Sequence, residues 1–281
     1  MITTSSCHFE QRHISTTWRV LLTLVVFIVF GSTGNTAFAY QGGGQEQETR
    51  LVQNIKKTKP SVVGIAILTP LEANAPKIIG TGFVVGDGKH IVTNYHVVSK
   101  DLDPKKVQHY VALSGSGPNP QVHKMTVLAI DPVHDLAILT IDKALPSLSL
   151  ANDDLVDDGS SVFFTGFPIG AVLGLYPATH TGLVAATTPD INPANNANEL
   201  TVEMLKRLKK PFMIYQLDAT AYPGNSGSPL LSLYSNEVIG IINKVFVKEG
   251  KEAALTNPSG ITYAIPVREL RKLAKTVDLA L

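Results

Sequence analysis

The chain reads as an all-β protein made of two six-stranded antiparallel β-barrels, with one short helix before them and one after. Three observations predict this. From Ser61 onward, short apolar runs rich in Val, Ile, Leu, Phe and Thr are cut by Gly, Pro, Asp and Asn, which is the pattern of strands and turns. The runs form two series of six, separated by a polar connector at 143–160. Helical spacing of apolar residues is found near the two ends and in a stretch at 198–208.

The opening residues come first. A polar stretch with Arg12, His13 and Arg19 precedes an apolar core from Val20 to Phe30, and Ala37-Phe38-Ala39 follows a polar neck. This is the layout of a secretory signal peptide, so residues 1–39 are expected to be removed after Ala39 and the protein to be periplasmic or secreted. The apolar core is only eleven residues long. That is well short of the roughly 20 a spanning helix needs, so no stable membrane span is expected after cleavage. Residues 40–60 then hold a Gly- and Gln-rich stretch at 41–47, read as disordered, and a short helix marked by Leu51, Val52 and Ile55, read as packing on the first lobe.

The body of the chain is 61–281. Its first barrel, about 61–142, has strands at 62–67, 81–85, 90–93, 109–113, 125–130 and 136–141, with Gly86-Asp87-Gly88 as a tight hairpin turn. Its second barrel, about 161–266, has strands at 162–164, 182–186, 212–217, 229–233, 238–242 and 261–265. Residues 187–211 look like an insertion between two of these. The helix at 267–279 has Val267, Leu270, Ala274 and Val277 on one face.

Composition narrows the function. Lys and Arg number 24 against 23 Asp and Glu, and removal of 1–39 leaves no net charge. No basic patch of the kind nucleic acid needs is present, and the run Lys206-Arg207-Leu208-Lys209-Lys210 reads as a solvated helix end. The single cysteine, Cys7, lies in the segment removed, so the body has no disulfide and relies on its core. With no cysteine in the body and no paired His spacing on a helix, neither a metal nor another cofactor is implied.

Three segments carry chemistry. His96 stands in Thr93-Asn94-Tyr95-His96-Val97-Val98, Asp135 opens the apolar run Leu136-Ala137-Ile138, and Ser226 lies in Gly224-Asn225-Ser226-Gly227-Ser228-Pro229. A serine hydroxyl is a weak nucleophile at neutral pH. It needs a base within reach, and the base needs a carboxylate to hold its other nitrogen. The order His, Asp, Ser excludes an α/β-hydrolase, whose histidine follows its serine. Asp131 precedes Pro132 and reads as a turn residue, Asp142 follows its strand, and His134 points away if Asp135 points in. His90, His109, His123 and His180 read as surface or structural residues.

These segments, together with Gly80-Thr81-Gly82-Phe83, resemble the chymotrypsin-like serine proteases, and most closely their HtrA/Deg branch, over roughly residues 50 to 270. The resemblance implies a chymotrypsin-like double barrel and a serine endopeptidase acting on exposed or unfolded polypeptides, in envelope quality control or processing. It implies His96, Asp135 and Ser226 as the triad. The N–H groups of Gly224 and Ser226 would form the oxyanion hole, with Asn225 between them in a turn that glycine permits. Asn225 cannot make the ion pair with a new N-terminal amine that an aspartate makes in digestive relatives, so control by loop ordering is expected, with 168–178 and 187–211 as candidate loops.

Specificity follows in the same way. Thr220 stands about where trypsin-type enzymes place an acidic residue, and Asp218 is two positions early. A small or medium aliphatic residue before the scissile bond is therefore expected. Ile241, Ile242, Asn243 and Lys244 would offer an edge strand to substrate, with Thr262 and Ala264 helping to line the pocket. Ser228 replaces the family's usual second glycine, and Tyr95 stands where Asn or Ala is frequent. No PDZ domain follows within this sequence. A homotrimer is the family's usual assembly, although Tyr40 is the only aromatic residue between the expected cleavage site and the first barrel. The alternatives are a latent or inactive peptide-binding module and an envelope scaffold.

Overall fold

The computed structural model describes residues 38–70, 76–100, 102–168, 175–190, 209, 211–245 and 260–281. The expected signal segment up to residue 37, most of the insertion and of the basic run 206–210, and part of the candidate loop 168–178 lie outside the described residues. Residues up to Thr49 and residues from Arg50 form separate compact units, and the lobes, the core and the site described below belong to the second.

The first lobe holds seven strands: β1 (Val62–Leu68), β2 (Lys77–Val85), β3 (His90–Thr93), β4 (His109–Ser114), β5 (Gln121–Lys124), β6 (Thr126–Asp131) and β7 (Leu136–Thr140). All neighbours are antiparallel, in the order β5-β4-β1-β2-β3-β7-β6. Six strands were expected. The additional strand, β5, escapes a periodicity reading because Gln121, Val122 and Lys124 are exposed and only His123 faces inward. The edge strands β5 and β6 are separated by Met125 alone. Consecutive Cα atoms lie about 3.8 Å apart, so the two edges must meet there. The first lobe is thus a curled seven-stranded sheet, a half-barrel whose two edge strands are joined through Met125, in place of the closed six-stranded barrel expected.

The second lobe is a closed barrel in the order β10-β13-β12-β11-β8-β9. Its strands are β8 (Ser161–Gly166), β9 (Ala178–Pro189), β10 (Met213–Asp218), β11 (Pro229–Ser232), β12 (Val238–Val245) and β13 (Ile261–Pro266). Strand β9 is longer than expected at both ends, because its polar flanks Thr179, His180, Thr187 and Thr188 still pair with β8 and β10. The insertion therefore begins inside a strand.

Three α-helices, α1 (Phe38–Thr58), α2 (Tyr95–Val98) and α3 (Val267–Lys275), and two single 3-10 turns, Lys59–Ser61 and Pro104–Lys106, accompany the strands among the described residues. Helix α1 runs through 41–47, which overturns the expected disorder; Gln45 to Thr49 are adequate helix formers beside the weak glycines. From Arg50 on, this helix is docked by Leu51 and Ile55 on a core that both lobes share with α3. Asn54 donates to the Leu233 carbonyl at 2.8 Å, so its anchor is a turn of the second lobe and not the first lobe as expected. Helix α3 ends four residues early. The Leu279 N–H returns to Ala274 O at 3.0 Å, and Asp278 takes φ 53°.

Phe83, Leu136, Ile138, Phe163, Leu231, Ile241, Ile265 and Leu270 have no exposed surface and form one core running between the lobes. Each such side chain contributes about 1.5–3 kcal/mol. A core continuous across the lobes fixes the position of anything carried on their facing edges.

Candidate active site

Helix α2 follows directly from β3, and β3 pairs with β7, Thr93 opposite Ala137. This pairing brings Asp135, the residue before β7, alongside the start of α2. Asp135 has φ 53°, a left-handed conformation uncommon for a side chain with Cβ. In that conformation it holds the 94–96 segment with every acceptor it has. Its backbone carbonyl accepts from Tyr95 N–H and from Asn94 Nδ2, both at 3.1 Å. Its Oδ1 accepts from His96 N–H at 2.8 Å, and its Oδ2 lies 2.6 Å from His96 Nδ1. Asp135 is 8% exposed, while the His96 side chain is half exposed. A carboxylate on Nδ1 fixes the proton there and leaves Nε2 as an open acceptor.

The serine turn belongs to the second lobe and is fastened to the first by Thr81. The Thr81 hydroxyl donates to Gly224 O at 2.7 Å and accepts from Phe167 N–H at 3.0 Å, and its N–H donates to Ser226 O at 2.9 Å. Thr93 Oγ1 in turn donates to Thr81 O at 2.7 Å. Gly227 has φ 86°, and a Cβ there would lie 2.1 Å from Thr81 O. Gly80 sits where the two halves converge: a Cβ on it would be 2.6 Å from Val97 of α2 and 3.3 Å from Ser226 O. Thr81 stood in the glycine-flanked motif, yet its role was not legible. The only signal was the spacing of small residues at 80 to 82.

Among the described residues, the N–H groups of Gly224 and Ser226 have no hydrogen-bond partner, whereas those of Asn225, Gly227 and Ser228 are bonded within the fold. The Ser226 hydroxyl donates to Asn243 O at 3.1 Å, and no hydrogen bond joins it to His96. Asn243 is the unpaired residue of a bulge in β12, between the pairs Ile242–Ala264 and Lys244–Tyr263, which turns its carbonyl out of the ladder.

The residues read as substrate-binding divide in two. Thr220 and Asn243 are half-buried beside the serine turn, and Lys244 continues β12. Ile242, Thr262 and Ala264 are buried in the second barrel. Ile242 uses its N–H on Ser228 O and its carbonyl on Gly227 N–H, and the Thr262 hydroxyl donates to Ala219 O. These three stand behind the site instead of presenting surface to it.

Other titratable residues separate from this cluster. His134 points away from His96, with Nδ1 2.5 Å from Asp131, Nε2 3.6 Å from buried Glu269 and its ring edge on Phe212. Asp131 also accepts from the N–H groups of Val133 and His134, the geometry of a turn residue. His90 pairs with Asp87, and His123 with Ser114. His180 is placed differently from a surface residue. It stacks on Phe164 and reaches Asn225, next to Ser226. Among the described residues no three His, Cys, Asp or Glu side chains are grouped as a metal site would need, and no helix is long and apolar enough to cross a membrane.

Residues 80–241 match the family model for a trypsin-like peptidase domain. Over 235 residues the chain is 31% identical to Protease Do-like 5, chloroplastic, of Arabidopsis thaliana, covering 78% of this chain and 66% of that one. It is also 31% identical over 188 residues to a probable periplasmic serine endoprotease, DegP-like, of Chlamydia muridarum, covering 66% of this chain and 31% of the relative. The chain thus spans 66% and 31% of these two relatives' lengths. Among solved structures it is similar to Deg5, with a TM-score of 0.57, 27% identity, and 81% and 93% of the two chains covered.

Proposed function

The chain belongs to the trypsin-like peptidase family, and from that premise we propose that it is a serine endopeptidase of the HtrA/Deg type. In this reading Ser226 attacks the scissile carbonyl and His96 Nε2 takes its proton, later giving it to the leaving amine. Asp135 holds the ring and stabilises the imidazolium formed in between. The oxyanion is received by the N–H groups of Gly224 and Ser226. The observation that carries the reading is the 2.6 Å contact between Asp135 and His96 Nδ1, because it leaves the other ring nitrogen available as a base.

For attack, the Ser226 hydroxyl leaves Asn243 O and turns to His96. An extended polypeptide substrate pairs along Asn243 and Lys244, with Thr220 at the pocket for a small or medium aliphatic residue. Removal of residues 1–39 and action on exposed polypeptides in the periplasm or outside the cell fit the similarity to a probable periplasmic serine endoprotease. Assembly as a trimer belongs to the same proposal.

The test is hydrolysis of unfolded casein by wild type beside Ser226→Ala, with fluorophosphonate labelling in parallel. Cleavage and labelling in wild type alone are expected. Equal behaviour of two folded proteins would overturn the reading. It would favour a latent protease or a peptide-binding module, a reading that the hydrogen bond of the Ser226 hydroxyl to Asn243 O also supports.

A further inference from the structure

Asn225 lies between the two N–H groups proposed to receive the oxyanion, and its side chain has no exposed surface. Its backbone is already committed: its N–H donates to Tyr222 O and its carbonyl accepts from Ser228 N–H, both at 3.0 Å. Its side chain is less well served. Nδ2 has one partner, His180 Nε2, at 3.5 Å, the long limit of a hydrogen bond, and among the described residues Oδ1 has none. Nothing on the Gly166 side can crowd in, because that residue carries no Cβ; one placed there would lie 2.8 Å from Asn225 Oδ1.

His180 is well held. It sits in β9 opposite Phe164 of β8, and its ring stacks on Phe164 with centroids 4.9 Å apart and planes 20° apart. Tyr222 also lies against it, tilted by 47° with centroids 5.9 Å apart. Tyr222 is also the residue whose carbonyl holds Asn225 N–H. The ring therefore touches both ends of the turn from Tyr222 to Asn225. Burial lowers the His180 pKa, which favours the neutral imidazole. Among the described residues no carboxylate or ammonium is paired with it, and the titratable group packed on it is the Tyr222 phenol.

We infer that His180 is a positioning residue for the nucleophile turn: its unprotonated Nε2, fixed by the Phe164 stack, holds the Asn225 amide and so orients the peptide N–H groups of Gly224 and Ser226. The side chain of Asn225 then does without a charged partner. A ring from the barrel wall holds the turn where an ion pair could not form. The inference rests on the endopeptidase reading for its kinetic consequence, but not for its structural one.

Two variants separate holding from packing. His180→Phe keeps the aromatic stack and removes the acceptor. His180→Gln removes the ring and restores an acceptor. In His180→Phe the backbone amide signals of Gly224 and Ser226 are expected to move in 1H–15N spectra. Its kcat should fall about tenfold with KM within about twofold, the pattern of an interaction used in the transition state. His180→Gln should recover kcat to within about threefold of wild type, since the acceptor is what matters. Unmoved amide signals with wild-type kcat in His180→Phe would overturn the inference.

Wild type alone supplies a further readout, which serves if a variant does not fold. The Asn225 side-chain amide signal should follow the titration of His180, and independence of the two would also overturn the inference. If wild type proves as inactive as Ser226→Ala, the endopeptidase reading fails, while the amide signals of both experiments still decide the role of His180.

Discussion

The Thr81 hydroxyl donates to the Gly224 carbonyl at 2.7 Å across 143 residues of sequence, and so ties the serine turn of one lobe to a strand of the other. Thr81→Val keeps the shape and removes the donor. It leaves Gly224 O and the Phe167 N–H without their partner. The expected loss is about 1–3 kcal/mol in urea unfolding, the range for orphaned buried polar groups. Peptidase activity should fall further than stability predicts, because the strands on which the site stands remain in place.

Asp135→Asn tests the carboxylate. Asp135 Oδ1 accepts from His96 N–H and Oδ2 faces Nδ1. An amide offers one acceptor, so if it keeps the backbone bond it turns an N–H toward Nδ1 and forces the proton to Nε2. With the base in the wrong tautomer, kcat should drop by about 10⁴, with the fold retained by circular dichroism.

Gly227→Ala is expected to be severe. The new Cβ would lie 2.1 Å from Thr81 O and 2.4 Å from Thr93 Oγ1, at φ 86°. Strain and overpacking together predict a loss of about 3 kcal/mol or more, seen as a lowered unfolding midpoint or as insoluble protein.

Stability should fall in acid through Asp131. Burial opposes its charge, but hydrogen bonds from the His134 ring and from the His134 and Val133 N–H groups outweigh that and hold its pKa below the usual carboxylate range. A depressed carboxylate pKa contributes stability that is present above the unfolded value, roughly pH 4, and is lost as pH falls through the folded one. Urea midpoints of wild type should therefore decline below about pH 4 more steeply than those of Asp131→Asn. Parallel curves for the two proteins would refute this.

What the sequence made legible follows contact range. The His96 and Ser226 motifs and the double series of strands are local patterns, each readable within a few residues. Thr81 acts on Gly224 and Phe167, and His180 on Asn225 45 residues away, so neither role leaves a local trace. Asp135 was readable as an orienting carboxylate, but its left-handed backbone was not, since nothing in Asp-Leu-Ala announces it. Strand β5 was hidden because three of its four side chains face water. The early helix was legible from Leu51, Val52 and Ile55, but its first turns were hidden because the glycines at 42–44 argue against them, and its anchors, Asn54 on Leu233 and Thr58 on Asn236, lie in a turn far along the chain.

Met125 gives the first lobe an unequal mechanical character. Gln121–Lys124 answers to β4, and Thr126–Asp131 answers to β7. One pair of backbone torsions separates them. The half that leads into Asp131, and so toward Asp135, can keep its alignment while the other half frays. Damage at 121–124 should loosen that edge of the sheet and spare the chemistry, in the way a clasp can be worn on one leaf and still close on the other.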